Sequence, residues 1–501
     1  MAEAQASTQK LSVAEKTGYS FGDAAANFVF MTMILFQNKF YTDVFGISAV
    51  AAGALLLIGR LWDAFFDPMM GVIADRTNTR WGKFRPWVLW TALPWGIVMV
   101  LAYTTPSNWP DVAKVAYAAV TNILLMTLYS ANNTPYSAMT AVMTGDVNER
   151  TSLSAFRFLA AMIAQLVVGT FTLLLVAKMG AGSDTKGWQL TMGIWAIVCV
   201  TCFLITFLTT RERIQPDPKQ ESSAKTDFAN LLKNGPWIAM FVVTVAHFIY
   251  VAMRSGTMYY YFDYYLNKDA LYAFLQKVGV PTAGEVNGSG GIGHWFLDTF
   301  GLIIDPEHKN VVAVGFSLYN LACQVVLVIG VFCSTMLSIR FGKKAVAIVG
   351  FVLTTICVAA FYVLPQDSIG SVYALELLRS LCYAPTIPLL WAMYADVVDY
   401  SEWTTGRRAT GVIYATIMFG LKAGLSLGGA FSLWLLAGYG YVANQPQTET
   451  AKEGIRMIVS IYSAIFLAIV VVALITYKIT KRMNLQIQDE LAERRRKFAT
   501  S

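Results

Sequence analysis

The chain has 501 residues, 56% hydrophobic and 14% charged, with a net charge of +7 and a mean hydropathy of +0.51. That balance describes a polytopic membrane protein. Its base excess falls in short polar connections, so topology explains it and no nucleic-acid partner is needed. The six cysteines (Cys199, Cys202, Cys323, Cys333, Cys357, Cys382) all lie in apolar segments without paired spacing in a polar loop, which argues against a disulfide framework and a zinc site.

The opening MAEAQASTQKLSVAEK is polar and lacks the basic start, short apolar core and small-residue cleavage site of a secretory signal, so the N-terminus is expected to stay in the cytoplasm. Apolar runs able to cross roughly 30 Å of hydrocarbon follow at residues 17–42, 47–74, 87–105, 113–144, 154–178, 188–209, 236–265, 311–338, 346–364, 370–395, 410–436 and 454–478, about twelve spans.

Several spans carry polar groups. Span one has Asp23 with Asn27 one turn later, and Lys39 with Asp43 near its far end. Span two reads RLWDAFFDP, where Arg60, Asp63 and Asp67 fall at i, i+3 and i+7 and line one helix face. Two carboxylates one turn apart repel in a low dielectric and need a partner, which can be Arg60, a bound cation or a shared proton. Pro68, lacking an N–H, leaves the carbonyl of Ala64 without its helical donor, and a carbonyl beside two carboxylates suits a small hard cation. The alternative is a plain Arg60–Asp63 pair with Asp67 solvated. Span four holds Ser130, Asn132, Asn133 and Ser137; span five, Arg157; span seven, Arg254; span ten, Glu376 and Arg379, able to neutralise each other; span eleven, Lys422. Each costs on the order of a few kcal/mol facing lipid, so together they imply a shared hydrated interior.

Lys and Arg gather in alternate connections, at 76–85, 211–225, 340–344, 407–408 and in the tail after 478. The positive-inside rule makes those loops and both termini cytoplasmic. RWGK (80–83) after span two has a counterpart in RFGK (340–343) after span eight, and DVNE (146–149) after span four echoes DYSE (399–402) after span ten. The repeat predicts two parallel halves with a substrate site between them: a six-helix bundle over 1–210 bearing the cation and sugar sites, a cytoplasmic linker over 211–235, a second bundle over 236–478, and a tail over 479–501. Residues 266–310 form an extracytoplasmic insertion with two short amphipathic stretches, either a stabilising plug or a lid over the substrate path.

FGDAAAN…FYTDVFGIS, RLWDAFFDP…ADRTNTRWGKFRPW, TPYSAMTAVMTGDVNERTSLSAFRF and ADVVDYSEW followed by FGLKAG resemble the glycoside–pentoside–hexuronide cation symporters, the melibiose-permease-like family. The likeness covers nearly the whole chain apart from the insertion. It implies an all-α major facilitator fold of about twelve transmembrane helices in two pseudo-symmetric bundles, which couples sugar uptake to Na⁺, Li⁺ or H⁺ by alternating access. By that resemblance Asp63 and Asp67 match the family's two cation-site carboxylates and Ser130 a contributing hydroxyl, with Arg60 helping to hold the stripe. Asp23 and Arg157 match residues that bind sugar hydroxyls, and Lys422 a lysine facing the same cavity. Asn27 is grouped with them as a substrate contact.

The departures carry information. Phe66 stands where the melibiose-type pattern has an asparagine ligand beside the second carboxylate, which removes an oxygen from sodium and favours a proton. Asn133 and Ser137 replace the family's sugar-binding Asp and stacking Trp, so one negative charge and an aromatic platform are gone. Arg254 has no family match and, with Arg157 and Lys422, shifts the cavity towards positive charge, which suits a carboxylated sugar. The expectation is a monomeric inner-membrane symporter of a sugar, an acidic sugar or oligosaccharide favoured, driven by H⁺. A Na⁺-coupled carrier of a neutral glycoside, with Na⁺ at Asp63 and Asp67, and a lysolipid carrier are the alternatives. No cofactor is expected. His247, His294 and His308 are scattered and no nucleophile–base pair or metal motif is present, so the chain does not read as an enzyme.

Overall fold

The structure, a computed structural model, describes residues 10–144, 147–213, 231, 233–282, 302–305, 307–406 and 410–499. The centre of the linker, most of the insertion including His294, and the pair Arg407 and Arg408 lie outside the described residues.

Among the described residues twelve helices are long and apolar enough to cross a membrane, matching the expected number of spans. They are α1 (Val13–Lys39), α2 (Ala49–Arg76), α3 (Arg85–Ala102), α4 (Asp111–Met143), α5 (Val147–Gly180), α6 (Asp184–Thr209), α7 (Gly235–Tyr260), α8 (Val311–Phe341), α9 (Lys343–Ala360), α10 (Ile369–Thr405), α11 (Thr410–Gly438) and α12 (Glu449–Thr476). A further helix, α13 (Lys481–Ala499), forms the tail, and a ten-residue helix, Lys268–Lys277, begins the insertion.

Local chemistry sets the boundaries. The Ser12 and Ser48 hydroxyls accept from the amides of Glu15 and Ala51 and cap α1 and α2. Pro385 interrupts α10, because a prolyl ring donates no hydrogen bond and crowds the preceding turn. The two repeat motifs RWGK and RFGK place Gly82 and Gly342 at φ +111° and +87°, backbone that only glycine adopts without strain. α1 and α7, the first helices of the two sequence halves, each end in a π turn, Phe40–Val44 and Tyr261–Tyr265. Each turn carries one aspartate, Asp43 or Asp263.

The helices pack as two compact units. Unit 1 comprises Met1–Lys219, Gly256–Leu321 and Leu433–Ala451; unit 2 comprises Gln220–Ser255, Ala322–Ser432 and Lys452–Ser501. Their boundaries cross α7, α8, α11 and α12 rather than following the sequence halves. In unit 1 the core is aromatic, with Phe40 against Tyr103 and Trp188 stacked on Tyr103. In unit 2 Met240, Phe351, Met393, Val397 and Leu467 are fully buried together. In a bilayer such contacts hold helices by van der Waals fit and interhelical hydrogen bonds, since lipid tails are as apolar as leucine.

The two repeat turns are fastened differently. In unit 1 the Glu212 carboxylate accepts the amides of Lys83, Phe84 and Arg85 at 2.9, 2.8 and 2.7 Å and so caps α3. In unit 2 Lys343 pairs with Asp396 at 2.6 Å, while Trp403 donates to Glu490 and seats α13.

Candidate functional site

α2 turns Ile58, Leu61, Phe65, Met69 and Val72 outward, all more than half exposed, and turns Asp63 fully inward. The charged stripe therefore faces protein, as its desolvation cost demands. α4 meets it with hydroxyls at the same spacing: Ser130 donates to Asp63 Oδ1 through a short bond, and Thr134, one turn later, donates to Asp67 Oδ1 at 3.5 Å. α2 and α4 are separated by one returning helix and run the same way, so i, i+4 on one aligns with i, i+4 on the other. Thr134 was not singled out from sequence, although its place four residues after Ser130 mirrors the Asp63–Asp67 step. Arg60 makes no ion pair among the described residues. The expectation that it holds the stripe by pairing is corrected: Arg60 is half-buried and lies within electrostatic reach of Tyr129 instead. Phe66 stacks on Trp62 with centroids 6.1 Å apart, and Trp62 donates to Thr127. Asn132 is a buried strut to Thr91 on α3, at 2.7 Å.

The second cluster joins α1, α4 and α5. Asp23 Oδ2 accepts from Arg157 Nε at 3.1 Å, both side chains keeping about a fifth of their exposure. Arg157 also reaches Thr140 at 3.3 Å and lies over the rings of Tyr136 and Tyr19, which stack 4.6 Å apart. Their hydroxyls donate to each other's backbone carbonyls, Tyr19 to Tyr136 and Tyr136 to Tyr19. That aromatic shelf was missed in the sequence, where both tyrosines read as ordinary apolar positions. Asn27 donates to the Asp23 carbonyl and accepts from Gln165. Asn133 is half-exposed, Ser137 exposed, and neither makes a hydrogen bond among the described residues. Tyr129 lies within electrostatic reach of Asp63, Asp67 and Asp23, and both clusters belong to unit 1.

Two expected substrate contacts belong to unit 2. Lys422 is half-buried there, its carbonyl accepting from Ser426. Arg254 is only 4% exposed and committed to Glu376 at 2.6 Å and to the Val459 carbonyl at 2.5 Å, over the Phe361 ring. Glu376 is shared with Arg379, which donates to Tyr250. The assignment of Arg254 to substrate is thereby corrected, because its guanidinium is buried and holds Glu376 and the Val459 carbonyl. Asp263, nine residues further along the chain and the other acid that Arg254 could be expected to meet, pairs with Lys39 and Lys268 instead.

Twelve helices able to cross a membrane, with a buried acid pair and a partly exposed Asp23–Arg157 ion pair among them, have the make-up of a multi-pass transporter. The family described as MFS/sugar transport protein matches residues 18–286 and 312–481, and the chain belongs to it. It is 32% identical, over 98% of its length and 97% of theirs, to the inner membrane symporter YicJ of Escherichia coli (strain K12). It is also 30% identical to the isoprimeverose transporter of Lactiplantibacillus pentosus (96% of this chain, 93% of that one) and to a glucuronide carrier protein homolog of Escherichia coli (97% of each). The crystal structure of the nucleoside transporter NupG superposes with a TM-score of 0.56 at 12% identity, covering 93% of this chain and all of that one, a likeness of fold alone. The chain is a sugar symporter of the major facilitator superfamily.

Proposed function

We propose that the protein imports a carboxylated sugar together with a proton by alternating access, across a bacterial inner membrane with both termini in the cytoplasm, as a monomer. The observation that carries this reading is the presence, in unit 1, of both the hydroxyl-capped pair Asp63 and Asp67 and the Asp23–Arg157 pair, with one helix, α4, hydrogen-bonded to each. The four oxygen-bearing side chains Asp63, Asp67, Ser130 and Thr134 suit a proton or a hard cation. Phe66 contributes no ligand oxygen beside them, which favours the proton. Asp23 and Arg157 suit sugar hydroxyls, since an ion pair offers both acceptors and donors, and Asn27, Asn133 and Ser137 lie on accessible positions around them. The acidic preference rests on the neutral Asn133 and on Arg157 in unit 1 and on the likeness to a glucuronide carrier protein homolog.

The test is uptake into proteoliposomes. An inward pH gradient should drive accumulation of a uronide, a protonophore should abolish it, and added Na⁺ should change it little. Strong Na⁺ stimulation with a matched neutral glycoside would instead establish the alternative, a sodium-coupled neutral carrier.

A further inference from the structure

The motifs RWGK and RFGK open α3 and α9 with the same backbone turn but opposite charge around it. In unit 1 three amides at the start of α3 donate to the Glu212 carboxylate, so an anion sits at the positive end of that helix. In unit 2 Gly342 precedes α9 and brings no side-chain cap, and the amides of Lys343, Lys344 and Ala345 make no hydrogen bond among the described residues. The side chain packed against Gly342 is Lys481, 3.2 Å from a Cβ built there. Glu212 follows α6, which ends at Thr209, and Lys481 follows α12, which ends at Thr476. At matching places after the last span of each half, the first half thus presents a carboxylate and the second a lysine.

The cations at the α9 turn are only partly committed. Lys343 takes the nearby acid, Asp396, at 2.6 Å, and Lys344 donates to the carbonyls of Ile475 and Tyr477 at 3.0 and 2.6 Å. Lys481 is exposed, gives one proton to the Ile339 carbonyl at 2.6 Å and keeps two. Arg340 is exposed and makes no ion pair or hydrogen bond among the described residues; its guanidinium lies over the Phe341 ring at 5.3 Å.

Phe341 is also where an apolar groove begins. The groove has a volume of about 420 Å³, lies between α8, α9 and α10, and is lined by Leu337, Phe341, Val349, Leu353 and Leu381 among others. Val349 is 57% exposed, Leu353 43% and Leu381 49%, so it opens outward. From Lys343 to Leu353 α9 rises about 15 Å, half of a hydrocarbon core roughly 30 Å thick. The groove therefore runs about one leaflet deep from the basic turn. A second groove of about 470 Å³, between α3 and α6 in unit 1, is lined by Leu93, Ile97 and Val100 among others and by no charged residue.

We propose that the RFGK turn binds the phosphate of an anionic phospholipid, with one acyl chain lying in the groove beneath it. Arg340 and Lys481 supply the charged donors, and the open amides of α9 supply the backbone donors that suit a phosphate at a helix start. A basic pocket between membrane helices is the setting in which anionic headgroups are held. The occupant is a lipid rather than free phosphate because the charges and the leaflet-deep groove share one mouth at Phe341.

The experiment is native mass spectrometry of the purified full-length protein with phosphatidylglycerol and phosphatidylcholine of identical chains. The wild type should bind phosphatidylglycerol about tenfold more tightly. Arg340→Gln combined with Lys481→Gln should cut that preference below twofold and leave phosphatidylcholine affinity unchanged, which shows that the variant is folded. Lys481→Glu, which gives α9 the carboxylate that Glu212 gives α3, should do the same. Leu353→Trp fills the groove and should weaken phosphatidylglycerol at least fivefold, whereas Ile97→Trp in the uncharged groove should keep the preference. A preference that survives in the double variant, or one that is lost in Ile97→Trp, would overturn the site. Full displacement of phosphatidylglycerol by inorganic phosphate would make it a free-phosphate site, and a dimer formed by the wild type but not by Leu353→Trp would assign the groove to a second copy; either result would overturn the lipid.

Discussion

Lys39 is 5% exposed, yet it carries a charge inside unit 1. It pairs with Asp43 at 2.6 Å and Asp263 at 2.7 Å and lies over three rings, Tyr264 at 4.2 Å, Tyr259 at 4.9 Å and Tyr260 at 5.2 Å. Asp43 also accepts from Thr42 and Tyr264 at 2.6 and 2.5 Å and from Tyr441 through a short bond. Burial, with Tyr260 and Asp43 close by, raises the Tyr441 phenol well above its ordinary range, so it stays a neutral donor. Asn444 donates to the Asp43 carbonyl at 2.6 Å. Lys39→Met removes the one ammonium shared by two carboxylates. Asp263 keeps Lys268, but Asp43 is left a buried anion with hydroxyl partners only, which costs about 3–5 kcal/mol. Asp43→Ala leaves Lys39 half-paired and two phenols without their acceptor, a loss of about 4 kcal/mol at roughly 1–3 kcal/mol per orphaned donor. Adding Asp43→Ala to Lys39→Met removes both charges, so the double variant should recover about 2 kcal/mol relative to the sum of the single losses. Unfolding in mixed micelles, followed by tryptophan fluorescence, measures all four proteins. A loss under about 1 kcal/mol for Lys39→Met, or strict additivity in the double variant, would refute the reasoning.

Asp67→Asn should abolish proton-driven accumulation while sparing downhill sugar exchange, because it removes a titrating group and leaves the Asp23 cluster in place; Asp63→Asn should act alike, and concentrative uptake by either would sink the cation-site assignment. Asp23→Ala should weaken sugar binding by on the order of 2–4 kcal/mol, the cost of leaving hydroxyls and Arg157 unpaired, and near-normal calorimetry would remove it from the site. Phe66→Asn returns an oxygen ligand beside Asp67 and should make uptake Na⁺-stimulated, so an unchanged sodium response in a folded variant would show that position 66 does not select the cation.

What the sequence showed and what it hid divide by range. Periodicity is local, so the twelve spans, the face shared by Asp63 and Asp67, and the pairing of Glu376 with Arg379 three residues on could all be read directly. The helix ends drift where polar residues continue a helix beyond its apolar stretch, as in ADVVDYSEW, which extends α10 to Thr405. Contacts between distant segments left no local trace. Arg254 meets Glu376 across 122 residues, Lys39 meets Asp263 across 224, and Tyr441 reaches Asp43 across 398. A lone charge in an apolar span announces that a partner exists, but that Arg254 meets Glu376 needed the fold. The Tyr19–Tyr136 shelf was hidden for a related reason: aromatic residues at helical spacing look the same whether they fill a core or carry a guanidinium.

The placement of Tyr129 bears on how a cation and a sugar could be coupled under the proposed function. It directly precedes Ser130, which holds Asp63, and lies one turn before Asn133 on the accessible face of α4. Thr140, further along the same helix, holds Arg157. One helix thus carries hydrogen bonds to Asp63, Asp67 and Arg157. A proton taken up by Asp63 or Asp67 removes a repulsion that the α4 hydroxyls only partly offset, and any resulting shift of α4 is felt at Arg157 through Thr140. The required coupling is modest, since a tenfold change in sugar affinity corresponds to about 1.4 kcal/mol, within what one charged hydrogen bond supplies. Thr140→Val tests the link: it should leave proton-independent sugar exchange measurable but flatten the dependence of sugar affinity on pH, whereas a Thr140 that merely supports the fold would lower affinity equally at every pH.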